Sequence, residues 1–380
     1  MKNKFWSKQP MAQNKSIIGQ IDIKDIKDIR NEPYPLLDGF EWGLLDWDNE
    51  SIVDECYKLL KDNYVEDDSG IFRFEYSREF LKWTLTPLDW KREWQVGVFQ
   101  TSNRKIRAMI TGTPAIISVD GTNIPIAEIN FLCVHKKLRN KRLTPVLIKE
   151  ITRRINLDNI WQAVFTAGIN IISPITYGTY YHRSINIKKL LDVGFTILGE
   201  RETIPRLNKL LKLPKYVNTP GWRPLKIEDL EQVGILLNKY LSQFRLHIVF
   251  QYHELDHIFM SKPFIISSYV IEYNGKITDF ASFYHIYTNI TNHPLHNTLR
   301  GAYSFYNVPG RLSLQDLIYN LVIEAKNQQC DVFNCLDIME NKYIFENLKF
   351  KIGDGKLHYY LYNYSIGNEL NPTDIGIVLS

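Results

Sequence analysis

Glu128-Ile-Asn-Phe-Leu-Cys-Val-His135-Lys-Lys-Leu-Arg139-Asn-Lys-Arg142-Leu-Thr-Pro145-Val-Leu-Ile148 is the stretch that decides the fold. Its apolar run from Ile129 to Val134 predicts a buried strand. The chain then opens into a basic loop with His135, Lys136, Lys137, Arg139, Lys141 and Arg142. A helix is expected to follow, with Thr144 as N-cap and Pro145 at the first helical position. Such a junction gathers backbone N–H groups, the positive end of a helix dipole and several cations around one point. That suits a poly-anion such as a pyrophosphate. A solvated basic turn is the alternative reading of the same residues.

Outward from this junction, the order of elements repeats. In the first half, a helix is expected over Asp48 to Tyr64, with Ile52, Cys56, Leu59 and Leu60 at helical spacing. Strands are expected at Ile71–Tyr76, Arg107–Val119 and Ile126–Val134, a helix over Pro145–Leu157, and a strand at Trp161–Ala167. A short helix near Ile187–Leu191 and the Phe195–Leu198 segment follow. The Pro- and Gly-punctuated run from Leu213 to Gly221 marks a boundary. The second half starts again with a helix from Glu228 to Leu241 and strands at Phe264–Ile271, Ile277–Tyr287 and Gly301–Val308. It continues with a helix at Leu314–Asn327, a strand at Asp331–Leu336, a helix at Lys342–Leu348 and a strand at Leu357–Asn363. The repeat suggests a diverged duplication. Pro309-Gly310-Arg311 stands where the first half has its basic loop, so only the first half is expected to bind the poly-anion.

At 380 residues, 44% of them hydrophobic and 13% aromatic, the chain supports a large core or two domains and not a disordered polymer. A net charge of +4 is mild and partly local, so no nucleic-acid surface is inferred. No apolar run is long enough to span a bilayer, and stable membrane insertion is not expected. Cys56, Cys133, Cys330 and Cys335 lie in apolar contexts without metal-ligand spacing, which suits free thiols in a reducing cytoplasm; no metal site is expected.

The Glu128–Ile148 stretch resembles the signature of the eukaryotic glycylpeptide N-myristoyltransferases. So does Lys349-Phe-Lys-Ile-Gly-Asp354-Gly-Lys-Leu-His-Tyr-Tyr-Leu-Tyr-Asn363. Similarity extends through Phe5-Trp6-Ser-Lys-Gln9-Pro10, Tyr64-Val-Glu-Asp-Asp68 and Phe72-Arg-Phe-Glu-Tyr76. The resemblance implies an α/β (α+β) fold: two pseudo-symmetric acetyltransferase-like (GNAT) halves sharing a continuous mixed sheet. Residues 1–214 would bind acyl-CoA, and residues 215–380 would build much of a peptide groove. The implied reaction moves a myristoyl group from myristoyl-CoA, a co-substrate and not a resident cofactor, to the N-terminal glycine of a protein or peptide. An N-acetyltransferase on the same fold and a decayed peptide-binding module are the alternatives.

The resemblance also implies residue roles. Backbone amides of Phe131 and Leu132 would stabilise the tetrahedral oxyanion, and Asn130 and Thr166 would help hold the glycine amine. Lys4, Phe5, Trp6, Cys133, Val134, Arg139, Asn140, Lys141, Arg142, Leu143, Thr144 and Pro145 would meet acyl-CoA. Tyr64, Asp67, Phe72, Phe74, Tyr76, Gly168, Tyr180, His182, Phe195, Ser282, Tyr303, Asn334, Asp354, Gly355 and Leu357 would line the peptide site. Asp67 and Asp354 would attract a substrate lysine; Ser69 stands where the family has a third acid. Lys351 and Tyr364 replace a common glycine and tryptophan. A free α-amine has a pKa near ~8, so a base is useful. The apolar tail Ile375–Leu379 would bring the α-carboxylate of Ser380 to that task.

Overall fold

The computed structural model describes residues 5–12, 18–65, 70–200 and 202–379. Lys4, Asp67, Ser69 and Ser380 lie outside the described residues.

The first half holds α1 (Glu50–Asn63), α2 (Arg78–Leu85), β1 (Gln95–Gln100), β2 (Ile106–Val119), β3 (Thr122–Val134), α3 (Leu143–Leu157), β4 (Ala163–Ala167) and β5 (Thr176–Ser184). The second half holds α4 (Leu230–Leu241), β6 (Ile266–Tyr273), β7 (Lys276–Ile290), β8 (Thr298–Val308), α5 (Leu314–Asn327), β9 (Val332–Leu336) and β10 (Lys351–Tyr362). Local chemistry sets many of these bounds. Asn49 caps α1 by accepting from the Ser51 and Ile52 amides, so the helix starts later than expected. The β2–β3 hairpin turns at Asp120 and Gly121, both with positive φ (47° and 85°), the pair of conformations that a tight right-twisted hairpin needs.

Each half contains an antiparallel pair followed, across a helix, by a parallel strand. β2–β3 and β7–β8 are antiparallel; β3–β4 and β8–β9 are parallel. The halves then exchange partners. β10, from the second half, pairs with both β4 and β5, and β5 pairs with β9. A single mixed sheet therefore runs from the tail at Ile375–Gly376, by way of a short strand at Leu246–Ile248, through β2, β3, β4, β10, β5, β9, β8, β7 and β6 to Trp222–Pro224.

Strand alternation sends side chains to two faces. On one face Val53 and Leu59 of α1, Phe80 of α2 and Leu237 of α4 join Ile126, Phe280 and Phe305 in one cluster that spans both halves. On the other, Leu147 and Ile151 of α3 cover Ile110 and Ala127, while Leu317 and Leu321 of α5 cover Phe283 and Phe333. The four cysteines are buried and unpaired. Among the described residues, no helix is long and apolar enough to cross a membrane.

Three further expectations change. No helix spans Lys342–Leu348: a single 3₁₀ turn forms at Asn341–Tyr343, and left-handed Lys349 (φ 61°) then swings the chain into β10. β10 starts at Lys351 and not at Leu357, because a bulge absorbs Gly353, Asp354 and Gly355 opposite Tyr180. Phe195–Leu198 is irregular; the Phe195 amide bonds back to the Leu190 carbonyl.

Candidate active site

The site begins where β3 and β4 part. They are paired at Ala127–Ala163 and Glu128–Val164 and diverge beyond, opening a wedge between Asn130–Val134 and Phe165–Ala167. β3 breaks register with β2 at the same point: Met109 faces Cys133 and Thr111 faces Asn130, leaving Phe131 and Leu132 opposite Ile110 alone. This is a β-bulge, and Phe131 takes the strain, with φ +50°. A bulky residue in that region costs on the order of 1–3 kcal/mol and persists where its surroundings enforce it. Here Tyr76 (5.2 Å between ring centroids) and Tyr64 (5.8 Å) pack against the buried Phe131 ring. The Phe131 side chain is a core residue, whereas its amide, at the break in register, lies against the Tyr64 hydroxyl. The Tyr64 phenol is itself pushed up by burial.

Glu128 and Asn130 share one face of β3. Asn130 Nδ2 donates to Glu128 Oε1 at 2.7 Å, and Thr111 Oγ1 donates to the Asn130 carbonyl at 2.9 Å. Burial pushes the Glu128 carboxyl up to about 7, against the opposing pull of the Asn130 hydrogen bond. Thr166, across the wedge on β4, is half-buried and pairs with Tyr359 of β10.

The tail runs beneath this point. Ile375, Ile377, Val378 and Leu379 are buried. Tyr359 donates to the Ile377 carbonyl (3.1 Å), and the Tyr306 hydroxyl accepts from the Val378 amide (3.0 Å). Gly376 is required there: a Cβ would sit 2.9 Å from that of His247. A cavity of ≈ 90 Å³ separates the tail from Glu128 and is also lined by Tyr306, Glu254 and His257.

On the opposite side the basic loop is a 3₁₀ helix, Lys136–Lys141, ending at left-handed Arg142 (φ 57°). This corrects the expected cap. α3 starts at Leu143 with Arg142 at its N-cap and no side-chain capping bond, because Arg142 itself makes the reversal; Thr144 and Pro145 lie inside the first turn. Asn140, Lys141 and Arg142 are exposed beside that helix start. Arg139 is exposed as well, and it is also tied back to the protein. Its Nη2 donates to the Asn63 carbonyl at 2.6 Å, and Asn63 Oδ1 accepts from the Lys136 amide, clamping the loop to the end of α1. Leu143, Val134 and Cys133 are buried behind the loop; Cys133 is a thiol pushed up to about 12 by burial. Phe5 and Trp6 reach the wedge from the amino-terminal segment: Trp6 stacks on Phe165 (5.6 Å), which stacks on Tyr360 (5.0 Å).

From Phe131 a line of rings leads away along the sheet. Tyr76, Phe74, Tyr303 and Tyr180 follow one another at 5.2–6.4 Å. Further on, Phe195 packs edge-on against Phe72 and His182. His182 Nδ1 and Asn334 Oδ1 are 2.6 Å apart; the amide oxygen only accepts, which fixes a proton on Nδ1. Burial lowers the His182 pKa, opposed by Asn334 and by the charge of Asp354. Asp354 and Gly355 are exposed in the β10 bulge, Leu357 is half-buried behind them, and Gly168 is exposed just beyond β4. Ser282 does not join this group. It is fully buried, and its hydroxyl donates to the Tyr306 carbonyl and accepts from the Tyr306 amide, spanning a β7–β8 irregularity. Glu128, Tyr306 and Tyr359 were not anticipated. An acid inside an apolar strand signals the first; nothing local distinguishes the two tyrosines.

The chain that builds this wedge, helix start and groove matches a known family along nearly its whole length. The model of the myristoyl-CoA:protein N-myristoyltransferase N-terminal domain matches residues 20–178, and that of the C-terminal domain matches residues 192–378. Glycylpeptide N-tetradecanoyltransferase 1 of Arabidopsis thaliana is 44% identical over 99% of this chain and 89% of its own length. Glycylpeptide N-tetradecanoyltransferase 2 of Danio rerio is 46% identical over 100% of this chain and 77% of its own. The crystal structure of Saccharomyces cerevisiae N-myristoyltransferase with bound myristoyl-CoA superposes with a TM-score of 0.94 at 39% identity, covering 100% of this chain and 99% of that one. The chain belongs to the myristoyl-CoA:protein N-myristoyltransferase family.

Proposed function

We propose that this chain transfers the myristoyl group of myristoyl-CoA to the N-terminal glycine amine of proteins and peptides in the cytoplasm. The observation that carries the mechanism is the Phe131 bulge, which breaks the β2–β3 register at the mouth of the β3–β4 wedge and so puts the Phe131 and Leu132 backbone there. With the thioester carbonyl in that wedge, the Phe131 and Leu132 amides meet the oxyanion as the amine attacks. The C–N bond forms, the C–S bond breaks, and the thiolate leaves as CoA after taking up a proton.

The exposed Lys141 and Arg142 and the start of α3 would hold the CoA phosphates, and Trp6 would cover the cofactor's end of the wedge. Asn130 and Thr166 would position the amine, and the α-carboxylate of Ser380 would take its proton. Support for that base is the path of Ile375–Leu379, buried and tied by Tyr306 and Tyr359 close to Glu128. Residues 1–214 would carry the acyl-CoA face and residues 215–380 much of the groove, where Asp354 would attract a basic side chain. Each buried methylene is worth roughly 0.8 kcal/mol, which favours a long acyl chain over acetyl.

Mass spectrometry of Gly-initiated and Ala-initiated peptides incubated with C2 to C16 acyl-CoAs tests the reading. A myristoyl adduct on the glycine peptide alone is expected. Transfer of acetyl in preference to myristoyl, or no transfer at all, would overturn it.

A further inference from the structure

Asn130 and Glu128 form a pair whose chemistry is directional. An ionised carboxylate only accepts hydrogen bonds, so the amide edge facing Glu128 Oε1 at 2.7 Å must be Nδ2. With Nδ2 engaged, Asn130 presents its other edge, Oδ1, to whatever lies beyond. Oδ1 is an acceptor, and the N–H of an attacking amine needs an acceptor. Were Glu128 protonated, its O–H could donate to Oδ1 and turn the amide over, offering the amine a second donor instead.

We propose that Glu128 is a positioning residue for acyl transfer: its carboxylate holds the Asn130 amide with Oδ1 toward the glycine amine, and its protonation switches the reaction off. The proposal rests on the reading in which Asn130 holds that amine. Glu128 is placed to titrate, because it lines the ≈ 90 Å³ cavity that also reaches Glu254 and His257. Tyr306 faces it from β8, and Glu254 and His257 share the cavity from the Tyr252–Phe259 segment. The cavity-lining residues of α2, of β2 and of Ile377–Leu379 bring no titratable side chain, so on the tail's side the other titrating group is the Ser380 α-carboxylate of the proposed reaction, which is present in every variant compared below. Burial has already moved the carboxyl to about 7, inside the working range of the reaction.

The test is kcat/KM for a Gly-initiated peptide at saturating myristoyl-CoA between pH 5.5 and 9, for the wild type, Glu128→Gln, Glu128→Asp, Asn130→Ala and the Glu128→Gln/Asn130→Ala pair. Myristoyl-CoA binding by calorimetry checks that each variant is folded. Below pH ~7 the wild type should lose rate with a slope one unit steeper than Glu128→Gln, because the amine and Glu128 both titrate. At pH 8 Glu128→Gln should be ten- to a hundred-fold slower, Glu128→Asp should recover the steeper slope, and the double variant should be no slower than Asn130→Ala. A Glu128→Gln enzyme with the wild-type slope or the wild-type rate at pH 8 would overturn the proposal, as would losses that multiply in the double variant. Failure of the underlying reading looks different: a wild type without transfer, or Asn130→Ala at full rate, whatever Glu128→Gln does.

Discussion

Gly353 has no room for a side chain: a Cβ there would stand 2.1 Å from His182 Nε2. Gly353→Ala should therefore push the imidazole off Asn334 and leave a buried amide unsatisfied, a loss of about 1–3 kcal/mol. It should raise the peptide KM at least tenfold with acyl-CoA affinity unchanged. An unaltered peptide KM would separate His182 from the groove. At the same scale Glu128 gives a pH-dependent stability prediction. Its carboxyl titrates at about 7 in the fold against an ordinary 4.5, so between those values the native state binds more protons than the unfolded chain. Stability falls as pH rises through that window and does not return above it. Glu128→Gln removes the effect, so relative to the wild type it should gain up to about 3 kcal/mol at pH 8 compared with pH 4. Denaturant melts at both pH values read this directly; an equal shift at both would contradict it. A functional acid held against its own stability is a common trade in enzymes.

Among the elements, the basic loop divides its cations. All three are exposed, but Arg139 also donates to the Asn63 carbonyl at 2.6 Å, whereas Lys141 and Arg142 flank the first turn of α3. Arg139→Ala should lower the Tm and loosen the loop. Lys141→Ala with Arg142→Ala should leave the Tm in place and raise the KM for myristoyl-CoA roughly tenfold or more, a pair of lost charge-assisted contacts. Calorimetric melts and initial rates distinguish the two; equal thermal losses from both would refute the division. The tail is the second such element. Tyr306→Phe with Tyr359→Phe removes the hydroxyls that meet the Val378 amide and the Ile377 carbonyl, about 1 kcal/mol each. Single-turnover acyl transfer should slow while acyl-CoA still binds. Extra residues appended after Ser380 should slow it far more, by roughly 10²–10⁴-fold if its carboxylate is the base. A fully active extended enzyme would assign the base elsewhere.

For the whole molecule, the exchange of β5 and β10 matters most. β10 fills the gap between β4 and β5, and β5 supplies the partner of β9, so neither half closes its own sheet. A core cluster of α1, α2 and α4 crosses the same boundary. Residues 1–214 alone should therefore expose unpaired strand edges and aggregate. The full chain should lose tryptophan fluorescence and acyl-CoA binding in one coincident urea transition. Two separated transitions would show that the halves are energetically independent.

How much of this was written in the residues differs by element. Helices α1 and α5, the β2–β3 pair and the strand–loop–helix junction at Glu128–Ile148 were legible, because apolar periodicity and turn chemistry are local. β5 was not: Thr176-Tyr-Gly-Thr-Tyr-Tyr-His-Arg-Ser184 has few aliphatic residues, and it is a strand because β9 and β10 flank it. Ser282 looked available and is sealed, since burial depends on packing and not on residue type. The sequence by itself determined the repeated order of elements, the cationic loop and the apolar tail, each a property of neighbours along the chain. Tertiary structure alone decided the positive φ at Phe131, the strand exchange and the cavity between Glu128 and the tail. Those arise where segments distant in sequence compete for the same space and hydrogen bonds, which no local pattern records.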